Sequence, residues 1–127
     1  MMPEKRYFTL EEANALVPDL LRDVPKIQGL THHLSHDFPD VKKAWEKAKY
    51  NGGSLEGVSY LKGVLQLNAL VKSLESRGCI LKGASAGLVD FLSMRDGREV
   101  YLCWKLPEKD IRYWHDLDAG FAGRQEI

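Results

Sequence analysis

Residues 87–127 read GLVDFLSMRDGREVYLCWKLPEKDIRYWHDLDAGFAGRQEI. Two runs that alternate in twos flank Asp96-Gly97, a dipeptide that accepts the positive φ of a type I′ turn. A two-residue loop sets Arg95 against Arg98 and fixes the register. Val89, Phe91 and Ser93 then share a face with Trp104, Leu102 and Val100. Leu88, Asp90, Leu92 and Met94 share the other face with Lys105, Cys103, Tyr101 and Glu99. The first face is apolar and belongs against helices. A third strand is expected over 111–116, after Pro107-Glu108-Lys109-Asp110. With that loop length, Ile111, Tyr113 and His115 face the core, and Arg112, Trp114 and Asp116 face outward. One residue more or fewer in the loop reverses the assignment.

Upstream the period lengthens to three and four. Thr9 followed by Glu12 is a capping box, and Phe8 precedes it as a staple. Leu10, Ala13, Val17, Leu20, Val24, Ile27 and Leu34 then form one stripe, which predicts a helix over 9–36. Pro18 and Pro25 demand kinks or a restart. A short basic helix is expected over 40–50 around Trp45, then a long helix over 54–77. The second long helix carries Tyr60, Val64, Leu67, Val71 and Leu74, and Gly78 caps it. The reading is one α+β domain over 1–127. A helical part spans 9–78, and a sheet part with a docked tail spans 79–127. An antiparallel hairpin of long helices covers one face of a small antiparallel sheet of about three strands.

Composition narrows the function classes. The chain has 127 residues, 18 of them basic and 18 acidic, with no net charge. That balance argues against a nucleic-acid partner, which selects a basic excess. No apolar run reaches the length of a membrane span, and the N-terminus has no apolar signal segment. Cys79 and Cys103 form no CxxC pair and no zinc spacing, as expected of reduced thiols in a cytoplasmic protein.

Three stretches carry a family resemblance. They are FTLEEANALVPDL at 8–20, GLVDF…RDGREVYLCW at 87–104 and IRYWHDLDAGFAGRQEI at 111–127. Together they resemble the family known as domain of unknown function 2203, and the C-terminal stretch is the specific one. The resemblance implies a small bacterial cytoplasmic protein with no assigned activity and no known catalytic residues. The chain departs from the family pattern at Lys105, Pro107 and Glu126, where arginine, glycine and proline are usual. His32, His33 and His36 also lie outside it.

The candidate sites follow from residue type and spacing. His32 and His36 stand one helical turn apart, a chelating spacing that needs a third ligand such as Asp37 or Asp40. The alternative is a solvated helix end. His115 with Asp116 and Asp118 offers ligands for a metal, or a general base with an orienting carboxylate; the alternative is a buried histidine beside turn-capping acids. Asp90, Cys103 and Trp114 share an outer row with Tyr101 and Lys105 beside them. A carboxylate raises a thiol pKa, so Cys103 is no nucleophile there. Asp90 is expected to accept from Arg112 or Arg124. The bracketed tail Gly120-Phe121-Ala122-Gly123-Arg124 either cradles an anion or docks through Phe121 and a pairing of Arg124 with Asp90, Asp116 or Asp118.

Two functions remain. The first is a non-enzymatic binding or assembly module that dimerises through Leu88, Leu92, Tyr101 and Trp114. The second is a small enzyme or a ligand- or anion-binding protein built on Asp90, Arg112, His115, Asp118 and Arg124, with metal assistance as an option. Neither a cofactor nor a tightly bound metal is expected, because neither histidine group presents three ligands on one rigid element.

Overall fold

The computed structural model describes residues 5–37 and 55–127. The basic helix expected around Trp45 lies outside the described residues. The elements run α1 (Leu10–Ala15), α2 (Val17–Asp37), α3 (Leu55–Ser76), β1 (Ile80–Gly83), β2 (Leu88–Arg95), β3 (Arg98–Lys105) and β4 (Tyr113–Asp116). A 3-10 turn (Phe121–Gly123) and β5 (Gln125–Glu126) follow. The architecture is α+β.

The single helix expected from residue 9 is two. The Thr9 hydroxyl accepts from the Glu12 backbone N–H, and Glu12 accepts from the Thr9 N–H, which completes the capping box. The chain breaks at Leu16 and restarts at Val17, which places Pro18 in the first turn of α2. No intrahelical donor is lost in that turn, so a proline there is tolerated. Pro25 lies inside α2. The two long helices run antiparallel. Arg77, just beyond α3, pairs with Asp19 at the start of α2 at 2.7 Å. A Cβ on Gly63 in α3 would meet Leu34 near the far end of α2 at 2.8 Å.

The sheet has five strands, not about three, in the order β1-β2-β3-β4-β5, with every neighbouring pair antiparallel. The central hairpin keeps the expected register from Leu88↔Lys105 to Arg95↔Arg98. Its turn has φ of 52° at Asp96 and 80° at Gly97. The apolar face meets the helices. Val89, Phe91, Val100, Leu102 and Trp104 are buried in one cluster with Leu20, Val24, Ile27 and Leu74. Phe8 joins them edge-on to Phe91, with ring centroids 5.1 Å apart. Its backbone N–H donates to the Leu92 carbonyl at 2.7 Å.

The face assignment of β4 is the reverse of the expected one. Trp114 pairs with Leu102 and is buried on the core face, while His115 pairs with Tyr101 on the outer face. Trp114 is therefore no outer-face interface residue. Arg95 and Arg98 lie over its ring at the edge of the core. The cause is where the strand begins. Ile111 and Arg112 precede the ladder, so alternation does not bind them, and Ile111 is buried although it lies three residues before Trp114. The two missed strands are short edges. β5 holds only two residues, and β1 holds four, Ile80-Leu81-Lys82-Gly83, with a register shift between Leu81 and Gly83.

Candidate functional site

The outer face of the sheet carries the site. In β2 the flanking Val89 and Phe91 point into the core, so Asp90 points outward. It stands opposite Cys103 in β3. His115 arrives from β4 one step along, opposite Tyr101. An outer face would ordinarily leave these groups wet, yet Asp90 is 2 % exposed, Cys103 1 % and His115 3 %. The tail supplies the cover. It leaves β4 at Asp116, crosses the outer face through the 3-10 turn, and returns to pair with β4. Between tail and sheet lies a cavity of about 250 Å³. Asp90, Cys103 and His115 line it together with Lys82, Leu88, Leu117 and Phe121.

The hydrogen bonds fix the histidine. Nδ1 lies 2.8 Å from the Asp116 carbonyl oxygen, which can only accept, so Nδ1 carries a proton. Nε2 then faces Asp90 Oδ2 at 3.1 Å. That contact needs one proton, or a cation, between the two atoms. Asp90 Oδ1 is buried without a hydrogen-bond partner. Burial pushes the Asp90 carboxyl above its ordinary range, and the nearby His115 opposes the shift. The Cys103 thiol is pushed up to about 12, first by burial and then by the Asp90 charge. A free thiol in that state is no nucleophile.

The docked tail has its own tethers. Arg124 donates to the Glu108 carboxylate at 2.6 Å and to the Cys103 carbonyl at 3.1 Å. Its guanidinium lies over Tyr113 at 4.2 Å and Phe121 at 4.9 Å. The expected partners Asp90, Asp116 and Asp118 are thus replaced by Glu108. Glu108 sits in the turn after β3 and also accepts from the Lys105 N–H at 2.6 Å.

Of the five residues expected to build a site, the structure brings Asp90 and His115 together. Arg112 is exposed and pairs with Asp110 at 2.8 Å, so it does not reach Asp90. Asp118 is exposed and does not line the cavity. Asp116 pairs with Arg98 at 3.1 Å, and its backbone carbonyl is what serves His115. On α2, His32 and His33 are exposed; the side chains of His36 and Asp37, and Asp40 as a whole, fall outside what is described. Cys103 was legible as Asp90's neighbour. Phe121 was legible as the anchor of a docked tail, but Lys82 and Leu117 were not, since they reach the cavity only through β1 and the tail crossing. The expectation of no metal rested on neither histidine group presenting three ligands on one rigid element, and did not consider ligands from separate strands. Here the ligand atoms of Asp90, Cys103 and His115 lie within 4.8 Å of one another.

Among the described residues no helix is long and apolar enough to cross a membrane. No curated protein and no solved structure matches the chain. The family model for the uncharacterized conserved proteins designated DUF2203 matches residues 6–127, nearly the full length, and the chain therefore belongs to that family.

Proposed function

We propose that the chain is a small-ligand-binding protein whose site is the cavity between the outer sheet face and the tail. One observation carries this reading. A carboxyl group and an imidazole, both nearly fully buried, meet at the floor of a cavity whose remaining wall is largely apolar. A small domain gains little stability from such a pair, because desolvation offsets the attraction. A cavity with few convergent polar groups is the usual form of a ligand site. The free, buried Cys79 and Cys103 favour action in a reducing compartment, the cytoplasm.

The test is a thermal-shift panel of small carboxylates, phosphates and nucleosides. At least one class raises the Tm of the wild-type protein, and Leu117→Trp, placed at the half-exposed rim, abolishes that shift. A panel that stabilises neither protein, or both equally, removes the reading.

A second reading, self-association, has its own support. Leu92 and Tyr101 continue the outer face beyond the cavity wall, and Met94 beside them is 49 % exposed. Of the four expected interface residues, Leu88 belongs to the cavity and Trp114 to the core. Sedimentation at micromolar concentration checks this reading, with a dimer that Met94→Glu dissociates as the expected result.

A further inference from the structure

We propose that Asp90, Cys103 and His115 together hold a borderline-soft divalent cation of the zinc type, with a fourth coordination position open to the cavity. The inference rests on the cavity being a ligand site and names what organises it.

The geometry argues for it in five ways. The three ligand atoms are already gathered within 4.8 Å and all three residues are buried. They come from three neighbouring strands, a rigid support that holds its spacing when an ion is absent. His115 is oriented as metal-bound histidines are, with one ring nitrogen donating to a backbone carbonyl and the other turned to its co-ligand. The Nε2–Oδ2 separation of 3.1 Å is near that of two ligands on one ion. Bonds of about 2.1 Å at a tetrahedral angle place such ligands roughly 3.4 Å apart. Finally, Asp90 Oδ1 is buried with no hydrogen-bond partner, which an ion or its bound water would satisfy.

The ligand set selects the ion. One sulfur, one imidazole nitrogen and one carboxylate oxygen suit zinc and its cobalt surrogate, and not magnesium or calcium, which take oxygen ligands. Charge supports the same choice. A thiolate and a carboxylate neutralise a divalent cation, so the loaded site is uncharged where a buried carboxylate alone would not be. Binding expels the Cys103 thiol proton and any proton held between Nε2 and Oδ2. Three protein ligands leave a fourth position, the pattern of sites that bind a water or a small ligand. That position faces Lys82, Leu117 and Phe121, so the cavity favours a small anionic group on an apolar body.

The test is cobalt titration of the purified, chelator-treated protein, followed by optical absorption. The wild-type protein takes up one equivalent and develops both a near-ultraviolet thiolate-to-cobalt band and visible bands of tetrahedral intensity. Cys103→Ser removes the near-ultraviolet band, and Cys79→Ser keeps it. Asp90→Asn weakens uptake by about tenfold or more, at least the effect of losing an outer-shell partner. A wild-type protein without the near-ultraviolet band at one equivalent overturns the proposal, and so does a band lost with Cys79 instead of Cys103. The wild-type spectrum decides even if Cys103→Ser does not fold. If cobalt fails while the panel still yields a shift that Leu117→Trp abolishes, the cation falls and the ligand pocket stands.

Discussion

Arg124 shows how one side chain holds the tail that makes the site. Its side chain is 12 % exposed, and its guanidinium bonds to Glu108 and lies against the Tyr113 and Phe121 rings. Removing it leaves the Glu108 carboxylate, among the described residues, with the Lys105 N–H as its hydrogen-bond donor, and strips a flat cation from two ring faces. Arg124→Ala is expected to cost about 1–3 kcal/mol, and Arg124→Lys is not expected to restore it, since an ammonium has neither the fork nor the plane. Thermal melts of both variants check this, and a Tm equal to wild type for Arg124→Ala contradicts it. Asp23 carries an acid-side prediction. Arg22 donates to it twice, at 2.9 and 3.1 Å, and holds its carboxyl below the usual range. The folded state therefore binds fewer protons than the unfolded chain near the ordinary carboxylate value of about 4. The stability so gained is complete above that pH and is lost as pH falls through the lower folded value. Asp23→Asn is expected to flatten the acid limb of a Tm-versus-pH curve and to leave its neutral side level. Neither Glu108 nor Arg22 was legible as a partner. A sequence gives the valence of a charge and not its neighbour across a turn.

The glycines that end and interrupt the helices separate conformational cost from steric cost. Gly78 closes α3 with φ of 92°, and a Cβ there would meet the Phe8 ring at 2.7 Å. Gly97, in the hairpin turn, has φ of 80° with nothing within 4 Å. Both substitutions to alanine force a left-handed residue at about 1–2 kcal/mol. Gly78→Ala adds displacement of Phe8, so it is expected to be the more damaging of the two in chemical denaturation. Gly29 has open space and no positive φ inside α2, so Gly29→Ala is expected to stabilise by about 0.5–1 kcal/mol. A ranking other than Gly29→Ala above wild type above Gly97→Ala above Gly78→Ala contradicts the assignment. The helices and the central hairpin were legible because period and turn chemistry are local. The bounds of β4 were not, because the connection after Lys105 is irregular, and one residue of difference reverses a strand.

In the molecule as a whole, one buried cluster runs from Ala13 through α2 and α3 to Trp114. Helices and sheet share that core, so they are expected to unfold together. Far-ultraviolet circular dichroism, dominated by the helices, and the fluorescence of buried Trp104 and Trp114 should give one coincident Tm. Separate transitions would mean that the two layers fold independently. The same layering creates the site. Helices occupy one face of the sheet, which leaves the tail to cover part of the other, and the residues after Asp116 cover it with a gap beneath.

The sequence by itself determined the α+β class, the capping box, the central hairpin and the row that sets Asp90 beside Cys103. These depend on periodicity and turn residues, whose physics acts over a few positions. Only the tertiary structure decided that His115 and not Trp114 faces that row, that Arg124 answers to Glu108, and that the outer face is roofed. Those outcomes turn on where an irregular connection releases the chain into its ladder. That point is set by which side chains fill the core best, a comparison among residues distant in sequence.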